Sequence, residues 1–146
     1  QNRQEQQALI LALLRFRDRS AIEAALDLVP SGKAPLPDGI AFLLNPGRVD
    51  RATRTMAFES LKKHYDSIIQ KHANVFGTDL GSLLPSVGNG FCDPQSRKEF
   101  VDFFLPRLKA NEGARRTYAQ TLEGIDICIA LKQVQQPSVA AFLEKY

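Results

Sequence analysis

The chain has 146 residues, enough for a single domain that buries a real core without extra covalent staples. Apolar residues make up 44% and charged residues 24%, which excludes a disordered polar chain. Net charge is +3, from 19 basic and 16 acidic residues interleaved along the sequence; that balance excludes a strongly basic nucleic-acid binder, and no apolar run approaches the ~20 residues that cross a bilayer.

Apolar residues recur at helical spacing nearly throughout. The chain opens on "QNRQEQQ" without a Met, a polar lead-in that reads as a piece of a longer protein, so the lack of a visible signal peptide carries no weight. A first helix is predicted from about Asn2 to Phe16, with Leu9, Leu13 and Phe16 on one stripe and Ile10 and Leu14 beside it. Asp18 has the character of an N-cap. The helix it opens turns Ile22, Ala25, Leu26 and Val29 inward, and Pro30, Ser31 and Gly32 stop it.

Pro35 to Pro37 form a turn, and Asp38 begins a short helix burying Ile40, Leu43 and Leu44, ended by "NPGR". Asp50 caps a longer helix in which Ala57 or Phe58, Leu61, Tyr65, Ile68 and Ile69 face the core. Glu59 and Lys63 are placed as an i, i+4 pair on its wet side. A short helix is expected around Leu80 to Val87, within a glycine-rich stretch. Asp93-Pro94 then starts a helix by the cap-then-proline rule; it buries Phe100, Phe103, Phe104 and Leu108, and Asn111 and Gly113 break it.

A long helix follows from Ala114 to about Gln135, with Tyr118, Leu122, Ile125 and Ile129 inward. Pro137 starts a last helix with Val139, Phe142, Leu143 and Tyr146 facing in. No period-2 segment of useful length occurs, so no strand is predicted. The fold class is all-α: about eight helices, several in antiparallel pairs, as in an α-solenoid or bundle, over a single domain spanning 1–146.

Catalytic chemistry finds no complete set. His64 and His72 lie eight residues apart with no Glu between them. That separation is roughly 12 Å of helix rise, too long for two ligands of one zinc, so a metal role is rejected. Gly77, Gly81, Gly88 and Gly90 fit no phosphate-binding motif and read as turns; "GNG" keeps Asn89 as a contact residue. No G-x-S-x-G is present. The twelve aromatics fall on helical stripes, as core rather than base-stacking platforms. Cys92 and Cys128 match no C-x-x-C motif. A disulfide is open to them, but the apolar helical setting of Cys128 favours a buried free thiol, and the redox compartment stays open.

In order along the chain, "LLRFRDRSAIEAALDLVPSGKAPLPD" (Leu13 to Asp38), "AFESLKKHYDSIIQKH" (Ala57 to His72), "VGNGFCDPQSRKEFVDFF", "RRTYAQTLEGIDICIAL" and "PSVAAFLEKY" carry one pattern. It resembles the C-terminal helical domain of the gluzincin-type zinc aminopeptidases, typified by the puromycin-sensitive and endoplasmic-reticulum enzymes. These are packing signatures rather than catalytic motifs; their order and spacing make the likeness specific. Phe58, Tyr65 and Leu131 stand where that family has tryptophans, and Cys128 where it has an asparagine, which marks a divergent branch.

The resemblance implies a right-handed stack of antiparallel helix pairs, HEAT- or armadillo-like, closing as lid and chamber wall over a catalytic domain upstream in the same chain. That domain would hold the zinc and cleave N-terminal residues from peptides. This chain would carry no metal or cofactor and be inactive alone, since the family's H-E-x-x-H is absent from its 146 residues. Its partners would be the catalytic domain and peptide substrate, with no nucleic acid and no membrane. Arg54, Lys62, His64, Asn89 and Arg116 are the expected chamber contacts, a cation suiting a peptide carboxylate. An apolar patch left where the catalytic domain docks would promote self-association. The alternative is a free-standing helical-repeat scaffold for another protein.

Overall fold

In the computed structural model the described residues are 5, 8, 9, 12, 18–28, 30, 31, 33, 43, 44, 51–71, 74, 75 and 78–145. Among them are five α-helices: α1 (Arg19–Asp27), α2 (Arg51–Lys71), α3 (Leu80–Leu83), α4 (Pro94–Phe104) and α5 (Ala114–Leu143). Two tight 3-10 turns, Leu84–Gly88 and Leu105–Lys109, continue α3 and α4. The all-α class holds. A minimal hairpin joins α2 to α3: β1 (Asn74–Val75) pairs antiparallel with β2 (Thr78–Asp79), Asn74 opposite Asp79 and Val75 opposite Thr78. Two residues per strand are too few for any alternation to register in the sequence.

The helix starts follow their caps. Asp18 accepts from the Ala21 N–H at 2.9 Å and opens α1. Asp79 accepts from the Gly81 N–H at 3.1 Å and opens α3. Asp93 accepts from both the N–H and the hydroxyl of Ser96 at 2.9 Å, with Pro94 as the first residue of α4. Asn111 caps α5 by accepting from the Ala114 N–H at 3.1 Å, while its amide donates to Asp79 at 2.8 Å and ties that start to α3. Prolines set the ends. Pro106 has no N–H for the Asp102 carbonyl, so α4 stops at Phe104 and the chain tightens into the 3-10 turn.

The core lies between α2, α4, α5 and the 3-10 turn Leu84–Gly88, with α1 packed on α2. Phe58, Leu61, Leu80, Leu84, Phe100, Phe104 and Ile125 are almost completely buried, each contributing about 1.5–3 kcal/mol of apolar transfer. Phe100 stacks on Tyr118 at 5.4 Å and meets Phe104 at 5.0 Å; Phe58 meets Phe91 edge-on at 5.4 Å.

Most of the predicted inward faces are present. Ile22, Ala25, Leu26, Leu43, Ala57, Leu61, Ile68 and Tyr118 are buried, and Tyr65, Ile69, Phe103, Leu108, Leu122 and Ile129 are half-buried against the core. The cap expected at Asp50 and the inward faces of Val29, Ile40 and Tyr146 lie outside the described residues, as does most of the first helix.

Several expectations change, among them the end of α4, which falls at Phe104 rather than at Asn111 and Gly113. Leu9, assigned to a buried stripe, is exposed. Glu59 pairs with Lys62 at 2.5 Å rather than with Lys63, because Lys62 also reaches Glu99 of α4 at 3.8 Å and lies over the Phe58 ring. The break expected between Gln135 and Pro137 does not occur: α5 runs unbroken for 30 residues through Pro137. Its last residues do not face in, and everything from Ala130 to Lys145 is exposed, including Val139, Phe142 and Leu143. Finally, Cys92 and Cys128 are not free thiols. They form a disulfide, with Cα atoms 5.2 Å apart, because α5 lies directly against the segment that leads into α4.

Candidate functional site

Among the described residues no group of three or more His, Cys, Asp or Glu side chains converges as metal ligands would. Two surfaces meet at the disulfide instead.

The first follows from the pattern of α5. Between Ile127 and Leu143 the only charged residue is Lys132, so the water-facing side of this helix lacks the charges that normally cover one. Ile127, Leu131, Val134, Val139, Phe142 and Leu143 are all more than half exposed, Val134 at 76%. They stretch over roughly 24 Å of helix rise. Along them runs an open groove of about 680 Å³, lined by Gly124, Ile127, Leu131, Gln135, Val139 and Leu143, with the disulfide at one end. At Gly124 the groove is open: a Cβ there would meet nothing within 4 Å.

The second surface is a small polar pocket of about 240 Å³ beyond the disulfide, lined by Arg54, Gly90, Phe91, Asp93, Ser96 and Lys132. Gly90 makes it possible. Its φ of 89° lies in the left-handed region, which a side chain would disfavour, and the turn points its carbonyl at α2. There Arg54 Nη1 donates to it, fixing the guanidinium at the pocket wall. Lys132 and Cys92 line both cavities, so the bridge is the partition between an apolar groove and a cationic pocket.

Charge pairs hold the partition in place. Arg97 of α4 binds Asp126 of α5 with both nitrogens, Nη2 at 3.0 Å. That hydrogen bond holds the Asp126 carboxyl below its ordinary range and raises the Arg97 guanidinium. On the far side of α4, Arg107 lies 3.9 Å over the Phe103 ring and 5.2 Å from that of Tyr65, and donates to the Phe103 carbonyl at 2.6 Å. Burial pushes the Tyr65 hydroxyl pKa up, and Arg107 partly opposes the shift.

The five residues named from the sequence do not converge. Arg54 and Asn89 come together at the Gly90 turn, Arg54 on the pocket wall and Asn89 exposed beside it. Lys62 is engaged by Glu59, Glu99 and Phe58. His64 is half-buried in a separate cleft of about 460 Å³ between α1 and α2, beside Asp27, Leu28 and Lys63. Arg116 is exposed on the first turn of α5. Sequence reasoning missed Lys132, the exposed stripe and the bridge. The near-absence of charge from Ile127 to Leu143 was the signal for the stripe, but it also fits burial.

Among the described residues the body is helical, with an apolar groove and a polar pocket on either side of the disulfide. The family model described as the ERAP1-like C-terminal domain matches residues 1–127, and the chain belongs to that family, a C-terminal domain of aminopeptidases. Comparison with curated proteins and with solved structures gives no match. The family match ends at Ile127, where the exposed apolar stripe of α5 begins.

Proposed function

We propose that this chain is the non-catalytic lid and chamber wall of a zinc aminopeptidase, a single helical domain stacked in HEAT-like pairs. The catalytic domain of the same polypeptide would hold the zinc and remove N-terminal residues from peptides. The observation that carries the reading is the exposed face of α5, in a chain whose family is a C-terminal aminopeptidase domain. Water-facing helices carry charge; from Ile127 to Leu143 this one carries six large exposed apolar groups and one lysine, the composition of a buried contact. In this reading the face docks on the rest of the polypeptide and sets how far the lid opens. Of the five chamber residues expected from the sequence, Arg54 has the most suitable surroundings for a peptide's carboxylate: a fixed guanidinium in a pocket that Lys132 and Asp93 also line, across the disulfide from the apolar groove.

The test is made in the complete aminopeptidase. Leu131→Asp with Val134→Asp should lower kcat/KM for long peptides by about tenfold while leaving hydrolysis of a single-residue chromogenic amide nearly unchanged. Equal effects on both substrates, or on neither, would remove the lid role. The 146-residue chain alone is expected to hydrolyse neither.

A further inference from the structure

The cleft that holds His64 shares no lining residue with the groove or the pocket at the disulfide. Its volume of about 460 Å³ is that of a small-ligand cleft. Lys63, His64 and Ser67 reach it from one face of α2, being three and four residues apart on that helix. Lys33 reaches it from beyond the turn that ends α1. We propose that this cleft binds a compact phosphorylated small molecule, held by Lys33, Lys63, His64 and Ser67.

The donors are available. Among the described residues neither lysine makes an ion pair, and the Ser67 hydroxyl makes no hydrogen bond. His64 keeps at least one ring N–H to donate whether or not it carries a charge. An anion between the two ammonium groups relieves their mutual repulsion. The end of α1 would oppose an anion if its carbonyls were bare, because a helix C-terminus is partially negative. Ser31 engages them: its N–H donates to the Asp27 carbonyl and its hydroxyl to the Leu28 carbonyl, each at 3.2 Å. Asp27 is the one carboxylate among the described lining residues, set against two ammonium groups.

The cations favour a phosphoryl group over a carboxylate. A phosphate monoester carries about −1.5 to −2 charges and offers three acceptor oxygens to donors that arrive from different directions. No arginine is among the described lining residues to clamp a planar carboxylate with two parallel bonds. Ammonium groups act as point charges, which suits a small group of high charge density. Ala24, Leu28 and Pro30 supply an apolar wall for the rest of the molecule.

The test is equilibrium dialysis of the complete polypeptide against radiolabelled pyrophosphate at low ionic strength, where exposed charges are least screened. Saturable binding is expected. Lys33→Gln with Lys63→Gln should weaken it about tenfold, and Asp27→Asn should tighten it about threefold. Lys145→Gln, at the end of α5 and outside the cleft, should change nothing. All four positions are exposed, so the substituted chains should match the parent in circular dichroism. Absence of saturable binding, or binding that the double substitution leaves intact, would overturn the site. An equal loss with Lys145→Gln would reduce it to diffuse surface charge. Citrate bound as tightly as pyrophosphate would overturn the phosphoryl assignment.

Discussion

Gly88 tests the packing at the centre of the fold. It ends the 3-10 turn Leu84–Gly88, beside Phe100 of α4 and Thr121 of α5. A Cβ at this position would lie 2.7 and 2.8 Å from two ring carbons of Phe100 and 3.0 Å from the Thr121 methyl. Real Cβ contacts do not come that close, so something must move. Phe100 has nowhere to go: it is fully buried, stacked on Tyr118 at 5.4 Å with planes 8° apart, and meets Phe104 at 5.0 Å. Overpacking a close-packed site costs about 1–3 kcal/mol. Replacing glycine also gains about 0.4–1 kcal/mol by restricting the unfolded chain. Gly88→Ala should therefore lose about 1–2 kcal/mol in urea titration, or roughly 3–6 °C in Tm for a chain of this size. Phe100→Leu, which frees space at the ring position, should cost less in the Gly88→Ala background than alone. The reasoning fails if Gly88→Ala matches or exceeds the parent in stability, or if the two substitutions are simply additive.

Reducing the disulfide, or replacing Cys128 by Ser, releases a 36-residue loop and should cost about 3–4 kcal/mol by loop-closure entropy; an unchanged Tm in reductant would show the bridge to be idle. Because α5 continues through Pro137, which cannot donate to the Gln133 carbonyl, Pro137→Ala should raise helicity and slow amide exchange from Ser138 to Leu143. Unchanged exchange there would mean that two helices meet at the proline. Burial raises the Tyr65 hydroxyl pKa above its ordinary 10.0, so the folded state keeps that proton longer than the unfolded one. Its contribution is full below about pH 10 and is lost as pH rises through the folded value. Tyr65→Phe should flatten that alkaline loss in urea titrations, and an unaltered slope would count against the burial.

The elements that were legible in the sequence are those whose signals are local. Asp18 and Asp93 are followed within three residues by the N–H groups they cap, and the Phe100, Phe104 and Leu108 spacing needs only one helix to be recognised. Errors arose where two physical accounts share one pattern. The apolar run from Ile127 to Leu143 fits a helix covered by this domain's own core as well as one left exposed, and the sequence does not distinguish the two. Pro137 reads as a start or as an interior residue, and only the run of contacts across it decides. Cys92 and Cys128 are separated by a whole helix and turn, so their meeting depends on how α4 lies on α5. The pocket is tertiary for the same reason: Arg54, Gly90 and Lys132 come from three distant segments.

Arg107 has a consequence for how α2 and the end of α4 are joined. Its guanidinium lies 3.9 Å over the Phe103 ring and 5.2 Å from that of Tyr65, and donates to the Phe103 carbonyl. A lysine there would keep the charge, but its compact, strongly hydrated ammonium can neither laminate two rings nor fork toward a carbonyl. The seam between those helices thus depends on the flatness of a cation more than on its sign.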